Sequence, residues 1–209
     1  ESLGALAVKG ALAKVPSVKA ADIDDVVIGC AMPEAEQGLN IARQVAVLAG
    51  LPIEVPAMTV NRFCSSGLQT IVDAANRIAV GQIDCAIAGG VESMSAVPMG
   101  GNKISLHPEL AETFPEIYAP MGLTAENVAR QFDVSRAAQD EFAVESHQKT
   151  FAARKAGRFR NEIVPVSFKG IPEVADDECP REDTSLDKLA ALRPVFDPKG
   201  CVTAGNSSP

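Results

Sequence analysis

Three short apolar runs alternate with segments of helical periodicity in the first 95 residues, and this alternation constrains the fold more than any other feature. The runs are continuously apolar, which is typical of strands that are covered by helices on both faces. We therefore predict an α/β fold with a mostly parallel sheet. The predicted strands are "VVIGCAM" (26–32), "AMTVN" (57–61) and "DCAIAGG" (84–90), and the predicted helices end before Pro16, follow Asn40 and cover residues 65–80.

The sequence changes character beyond Ala96, where it becomes rich in proline, glycine and polar residues. Because no sustained period continues through this stretch, we place a domain boundary near Ala96. The elements predicted after the boundary are helices starting near Thr124 and Ser135, an edge strand at "EIVPVSF" (162–168), and a short strand at Val202 and Thr203 that returns the chain to the first sheet.

Composition excludes several classes of protein. The formal net charge is −8, no basic block is present and aromatic residues make up only 4% of the chain, which argues against nucleic-acid binding. The apolar runs are too short to span a bilayer. An odd number of cysteines, five, without regular spacing predicts a reducing compartment rather than a disulfide framework.

Cys64 stands out among the cysteines because "VNRFCSSGLQ" places it at a strand-to-helix junction, the position that nucleophiles occupy in tight elbows. The positive end of the following helix favours the thiolate only modestly, so a base from elsewhere is still required. Cys30 and Cys85 lie in predicted strands and fit a packing role, Cys179 lies in an acidic loop, and core packing is favoured for Cys201. The apolar stripe of the helix after Cys64 is predicted to face a core and comprises Leu68, Ile71, Val72, Ala75 and Ala79.

Three other motifs can be tested against the residues around Cys64. A phosphatase loop would need an arginine within residues 65–70, and none occurs there. The G-x-S-x-G elbow of serine hydrolases is absent. His107, His147 and the cysteines show no metal-ligand spacing, so no metal site is predicted.

Several stretches resemble successive landmarks of the thiolase family: "NRFCSSGLQ", "IAGGVESMS", "PMGLTAENVA", "LRPVFD" and "VTAGNSS". They occur in order and cover essentially the whole chain. The resemblance favours the degradative 3-ketoacyl-CoA thiolases over the biosynthetic acetoacetyl-CoA type, because Pro120 precedes Met121 where the biosynthetic type usually has a histidine.

The resemblance implies the first repeat of a duplicated α/β core, with a loop domain inserted to hold coenzyme A. The first strand and the whole second repeat are expected to lie outside this sequence. The implied division is 1–95 for the N-terminal core, 96–195 for the inserted CoA-binding domain and 196–209 for the return to the core.

The family's acyl-accepting nucleophile matches Cys64, whose N–H would help hold the thioester oxygen. Met121 matches a residue of the acyl pocket, and Arg181 and Ser208 match contacts of coenzyme A; Lys188 is a weaker match. In the family, the second repeat supplies the histidine that activates the cysteine, a further cysteine that acts as acid and base, and an asparagine. None of these is in this sequence, and neither His107 nor His147 occupies a matching motif.

The resemblance also implies partners: acyl-CoA and CoA as substrates with no permanently bound cofactor, a homodimer or homotetramer, and a β-oxidation partner subunit. The implied compartment is a bacterial cytoplasm, with a peroxisome or mitochondrion as the alternative. Two functional alternatives stay open: a biosynthetic acetoacetyl-CoA thiolase and a non-catalytic protein that binds CoA or acyl groups. A decarboxylating ketoacyl synthase shares the fold and the cysteine, but the stretches "GGVESMS" and "TAGNSS" and the CoA-type loop domain argue against it.

Overall fold

The structure is a computed structural model that describes residues 1–208. The chain folds as two compact units: unit 1 contains Glu1–Ser105 and Val166–Glu173, and unit 2 contains Leu106–Pro165 and the chain from Val174 onward. The sequence places the boundary near Ala96 and expects residues 196–209 to rejoin the first domain, whereas the described part of that stretch belongs to unit 2.

The helices are α1 (Ser2–Ala13), α2 (Ile41–Ala49), α3 (Ser66–Ala79), α4 (Pro108–Thr113), α5 (Met121–Gln131), α6 (Arg136–Lys155) and α7 (Leu186–Ala190), and the strands are β1 (Asp25–Gly29), β2 (Ala57–Val60), β3 (Ala86–Gly90), β4 (Val166–Phe168) and β5 (Ile171–Val174).

A parallel sheet of order β2-β1-β3 forms the centre of unit 1. All five residues of the central strand β1 are buried, and Val26 and Val27 are 0% exposed. Continuous burial of a central parallel strand is the reason that Val26, Val27 and Ile28 are apolar without alternation. The prediction of a parallel sheet built from these three runs is confirmed.

Helix α2 packs its apolar side against the sheet, with Ile41, Ala42, Val45 and Ala46 buried. Asn40 precedes the helix as predicted, but its side chain makes no capping bond and instead donates to the carbonyl of Ala57 at 2.8 Å. Gly50 ends the helix in a left-handed conformation with φ of 87°, which glycine adopts without steric cost.

Helix α3 presents the opposite face from the one predicted. Its buried residues are Ser66, Thr70 and Ala74, whereas the apolar stripe that was expected to face a core is exposed, with Leu68 65% accessible. The reason is steric, because only small side chains on α3 allow its backbone to approach the glycines of the neighbouring strands. A β-carbon on Gly29 would lie 2.6 Å from the carbonyl carbon of Ser66 and 2.7 Å from the N atom of Gly67.

Unit 2 is mainly helical. Ser135 caps α6 as predicted, since its hydroxyl accepts a hydrogen bond from the N–H of Ala138 at 3.2 Å. The predicted helix near Thr124 corresponds to α5, which begins three residues earlier, at Met121. Val202 and Thr203 are buried but form no strand, because the N–H of Val202 donates to a side chain of α5.

The predicted edge strand at residues 162–168 shortens to Val166–Phe168 and begins directly after Pro165. It pairs with β5, a strand that the sequence analysis did not predict. The sequence patterns do not predict helices α4 and α7 either. Among the described residues, no helix is long and apolar enough to cross a membrane.

Candidate active site

Cys64 lies in the connection of residues 61–65 that joins the end of β2 to the start of α3. The thiol is exposed. The backbone of Cys64 forms an isolated β-bridge with that of Arg62. This position puts an exposed thiol beside the backbone N–H groups of a helix N-terminus.

The turn around Cys64 is held by hydrogen bonds from its own residues. Ser66, which is buried, donates its hydroxyl to the carbonyl of Phe63 at 2.6 Å and accepts the N–H of Arg62 at 2.9 Å. The N–H of Phe63 donates to Oδ1 of Asn61 at 2.9 Å. Asn61 and Ser66 were not singled out by the sequence analysis, although a short polar residue on each side of a sharp turn is a recognisable signal.

The first turn of α3 is fixed to the sheet by close backbone contacts. A β-carbon on Gly90 would lie 3.4 Å from the carbonyl oxygen of Gly29 and 3.6 Å from Cα of Gly67. Thr70, which is fully buried, places its hydroxyl 2.7 Å from the carbonyl of Gly67 and 3.1 Å from that of Gly89. The start of the helix, and Cys64 just before it, therefore has a defined position on the strand ends.

The last turn of α3 is fixed by charge. Arg77 forms a salt bridge with Asp25 of β1, whose side chain is 8% exposed. A second oxygen of Asp25 accepts the N–H of Val26 at 2.7 Å. Both ends of α3 are thus attached to the sheet through the polar face of the helix.

The other cysteines differ from Cys64 in their surroundings. Burial, followed by the negative charge of Glu92, raises the pKa of the Cys30 thiol to about 11, so this residue stays protonated and its packing role is supported. Cys85 and Cys201 are half-buried and Cys179 is exposed, and all of them are free thiols. Within residues 1–208, His, Cys, Asp and Glu side chains form no group of three that could hold a metal ion.

The four residues matched to substrate contacts all belong to unit 2, whereas Cys64 belongs to unit 1. Met121 begins α5 and is exposed. The N–H of Arg181 donates to Nδ1 of His147 at 3.1 Å. Lys188 pairs with Asp183 at 2.7 Å, and Ser208 is exposed.

A buried carboxylate organises the segment that leads to Ser208. Glu126 of α5 is 1% exposed and accepts hydrogen bonds from the N–H groups of Cys201, at 3.0 Å, and Val202, at 2.8 Å. Burial raises the pKa of Glu126, but the hydrogen bonds from these two N–H groups and the Cys201 thiol together outweigh burial, and the pKa lies below its usual range. The sequence gives no signal for the burial of Glu126, because a glutamate on an amphipathic helix is ordinarily solvated.

A second set of hydrogen bonds closes the same segment. Asn206 accepts the N–H of Thr203 at 2.7 Å and donates to Asp140 at 3.0 Å. Asp140 is also paired with Arg136 at 2.8 Å. The "VTAGNSS" stretch is therefore held by side chains of α5 and α6.

The structure is an α/β protein with a parallel sheet and an exposed cysteine between a strand and the helix that follows it. The family profile described as thiolase, N-terminal domain, matches residues 1–209. The 3-ketoacyl-CoA thiolase of Bacillus subtilis (strain 168) is 50% identical over 221 residues, a match that covers 100% of this chain and 56% of the relative. That of Serratia proteamaculans (strain 568) is 46% identical over 213 residues and is matched over 55% of its length.

The crystal structure of the Bacillus anthracis acetyl-CoA acetyltransferase superposes with a TM-score of 0.82 at 36% identity, covering 97% of this chain and 55% of that one. The chain belongs to the thiolase family. It spans about half the length of the relatives it matches. The predicted resemblance and the predicted thiolase-like α/β fold are confirmed, while the roles assigned to individual site residues stay predictions.

Proposed function

We propose that the protein of which this chain is the N-terminal half is a 3-ketoacyl-CoA thiolase that acts in fatty-acid β-oxidation. The observation that carries the proposal is the exposed thiol of Cys64 at the start of α3, in a chain 50% identical to a 3-ketoacyl-CoA thiolase. The thiolate of Cys64 is the acyl acceptor in this reaction.

The proposed reaction has two steps. In the first, the thiolate of Cys64 attacks the 3-keto carbon, the bond between C2 and C3 breaks, and C2 takes a proton as acetyl-CoA leaves. In the second, the thiol of a new CoA gives up its proton and attacks the thioester, and Cys64 departs as a thiolate. The N–H of Cys64 is proposed to donate to the oxyanion formed in each step.

The proton donors and acceptors for both steps are proposed to come from the half of the protein outside this chain. The chain itself supplies the nucleophile and, in unit 2, the proposed substrate contacts. Arg181 and Lys188 offer positive charge to the phosphates of CoA, Ser208 offers a hydroxyl to the pantetheine, and Met121 offers apolar surface to the acyl chain. The Nζ of Lys188 is paired with Asp183, which makes it the weakest of these candidates.

A second candidate is a biosynthetic acetoacetyl-CoA thiolase. The structural likeness to an acetyl-CoA acetyltransferase at 36% identity favours it. Comparison of thiolysis rates with acetoacetyl-CoA and with a longer 3-ketoacyl-CoA separates the two, because a degradative enzyme turns over both and a biosynthetic one prefers the short substrate. A non-catalytic CoA-binding protein would bind both and cleave neither.

The proposed assembly is a homodimer or homotetramer that pairs through β2. Its support is the position of β2 at the edge of the sheet, which leaves one side of the strand open for pairing. A β-oxidation partner subunit and a cytoplasmic location are further proposals that follow from the function. Light scattering of the full-length protein at micromolar concentration is expected to give at least a dimer mass, and a monomer mass would contradict the assembly.

Residues 1–209 alone are proposed to be inactive and prone to aggregate. The exposed stripe of α3 is the support, because leaving about 400 Å² of apolar surface uncovered forgoes about 10 kcal/mol of burial. A soluble, monomeric fragment that cleaves acetoacetyl-CoA would contradict this proposal.

The proposed function is tested by mapping the acyl group. The full-length protein is mixed briefly with a 3-ketoacyl-CoA, quenched in acid and digested, and the peptides are weighed by mass spectrometry. The adduct is expected on the peptide that contains Cys64, to be lost in Cys64→Ser and kept in the matched control Cys30→Ser. An adduct only on Cys179 or Cys201 would refute the assignment.

A further inference from the structure

The turn that carries Cys64 holds one residue in a conformation that side chains disfavour. Phe63 has φ of 44°, in the left-handed region, where a bulky residue persists only if its surroundings impose the conformation. Its side chain is 65% exposed, so burial of the ring does not stabilise this conformation. Hydrogen bonds in the turn must do so.

The peptide groups on both sides of Phe63 are hydrogen-bonded. Its N–H donates to Oδ1 of Asn61 at 2.9 Å, and its carbonyl accepts from the N–H of Ser66 at 3.0 Å. Cys64 is the next residue, so the direction of its side chain and of its N–H follows from the conformation of Phe63.

Asn61 is itself attached to the neighbouring strand end. Its Nδ2 donates to the carbonyl of Ala31 at 3.0 Å. The N–H groups of Ala31 and Met32 donate in turn to the carboxylate of Glu92, at 2.6 Å and 3.2 Å. These hydrogen bonds connect the residues that follow β1, β2 and β3 into one hydrogen-bond network that ends at Phe63.

Gln37 holds the Glu92 end of this hydrogen-bond network in place. It is 3% exposed, donates to the carbonyl of Met32 at 2.7 Å and to the carboxylate of Glu92, and accepts the N–H of Ser93 at 2.8 Å. None of these hydrogen bonds involves the thiol of Cys64. Any effect on the reaction would therefore pass through the geometry of the turn.

We propose that Asn61 is a positioning residue for the nucleophile. It holds Phe63 in the left-handed conformation and so aims the thiol and N–H of Cys64, with the Ala31 peptide and Glu92 as its anchor. This inference rests on the proposed function, because the position of Cys64 affects catalysis only if Cys64 accepts the acyl group.

The test uses the full-length protein, with acetoacetyl-CoA as the probe, rapid quenching and mass spectrometry of the Cys64 peptide. Asn61→Ala is expected to slow acylation and to lower kcat by about 10- to 100-fold while KM for CoA stays within about two-fold. Asn76→Ala, an exposed asparagine at the far end of α3, is the matched control and is expected to leave both parameters unchanged. Acylation of Asn61→Ala at the wild-type rate would overturn the proposal.

A double-mutant cycle separates positioning from a general loss of structure. Glycine adopts a positive φ freely, so Phe63→Gly removes the need for Asn61 to impose it. The loss caused by Asn61→Ala is expected to be at least about five-fold smaller in the Phe63→Gly background, because the two residues act through one feature. Equal losses in both backgrounds would overturn the proposed route through Phe63.

A conservative variant tests the hydrogen bond from Asn61 to Ala31, and it remains informative if Asn61→Ala folds poorly. Asn61→Asp keeps an acceptor for the N–H of Phe63 but loses the donor to Ala31, so its acylation rate is expected between those of the wild type and Asn61→Ala. A wild-type rate in Asn61→Asp would refute the anchor. If the wild-type protein itself shows no acylation of Cys64, the proposed function has failed rather than the positioning role.

Discussion

Helices α2 and α3 pack against the same sheet but present opposite kinds of surface to it. Helix α2 buries its apolar residues, whereas α3 buries small and hydroxyl-bearing residues and exposes its apolar stripe. An amphipathic pattern therefore predicts that the apolar face of a helix will be buried, but it does not predict whether the sheet or another part of the protein will bury it. For α3, we propose that the covering layer is the remaining half of the protein.

The largest effect is expected on the α2 side. Ile41→Ala in the full-length protein should lower the free energy of unfolding by about 2 to 5 kcal/mol, because the side chain is fully buried and its loss leaves a cavity. Urea denaturation monitored by circular dichroism measures this loss. A change below about 0.5 kcal/mol, the range of exposed substitutions, would mean that the α2 core does not form as described.

A smaller effect is expected where α3 meets the sheet. Gly29→Ala should cost about 1 to 3 kcal/mol, because the added methyl group would overlap the backbone of Ser66 and Gly67. It should also slow acylation of Cys64, since the start of α3 must move. Gly89→Ala is the matched control, because a β-carbon there meets nothing within 4 Å. Equal stability and activity of the two variants would contradict the close contact.

Helix α5 differs from both α2 and α3 because it buries a charged side chain, that of Glu126. The pKa of Glu126 is lowered in the folded protein, so its stabilisation is present above the unfolded pKa, about 4.3, and is lost as the pH falls through the lower folded value. Glu126→Gln places a donor against two N–H groups and should lower the melting temperature at pH 7 by about 2 to 6 °C.

The pH dependence of stability provides the control for Glu126→Gln. Differential scanning calorimetry between pH 3 and pH 7 should show a smaller loss of stability on acidification in Glu126→Gln than in the wild type. Glu112→Gln, an exposed glutamate, should retain the wild-type dependence. Identical pH dependence in all three proteins would show that Glu126 is not held as described.

The elements that the sequence predicted well are those with a long or distinctive pattern. The three parallel strands, α2, α3 and α6 carry either a continuous apolar run or several helical turns, and their ends agree within a few residues. The elbow at Cys64 was also predictable, because "CSSG" combines a nucleophile with small residues at a helix start. Helices α4 and α7 and strand β5 are short and carry no continuous apolar run, so they have too little pattern to be recognised.

What the sequence could not reveal depends on contacts between distant residues. The buried face of α3 follows from the approach of its backbone to Gly29, on a strand some forty residues earlier. The role of Asn61 depends on Ala31 and Glu92, which are brought together only by the sheet. Hydrophobicity ranks side chains by their preference for burial and carries no information on which polar groups will meet.

The stability of Leu68→Ala in the full-length protein tests the central claim most directly, namely that the stripe of α3 is covered by the rest of the protein. Leu68 is 65% exposed and Leu48 of α2 is 50% exposed in the structure, so the two leucines form a matched pair. If the claim is correct, Leu68→Ala costs about 2 to 5 kcal/mol, as a buried leucine does, while Leu48→Ala stays within about 0.5 kcal/mol. A Leu68→Ala protein as stable as Leu48→Ala would contradict it.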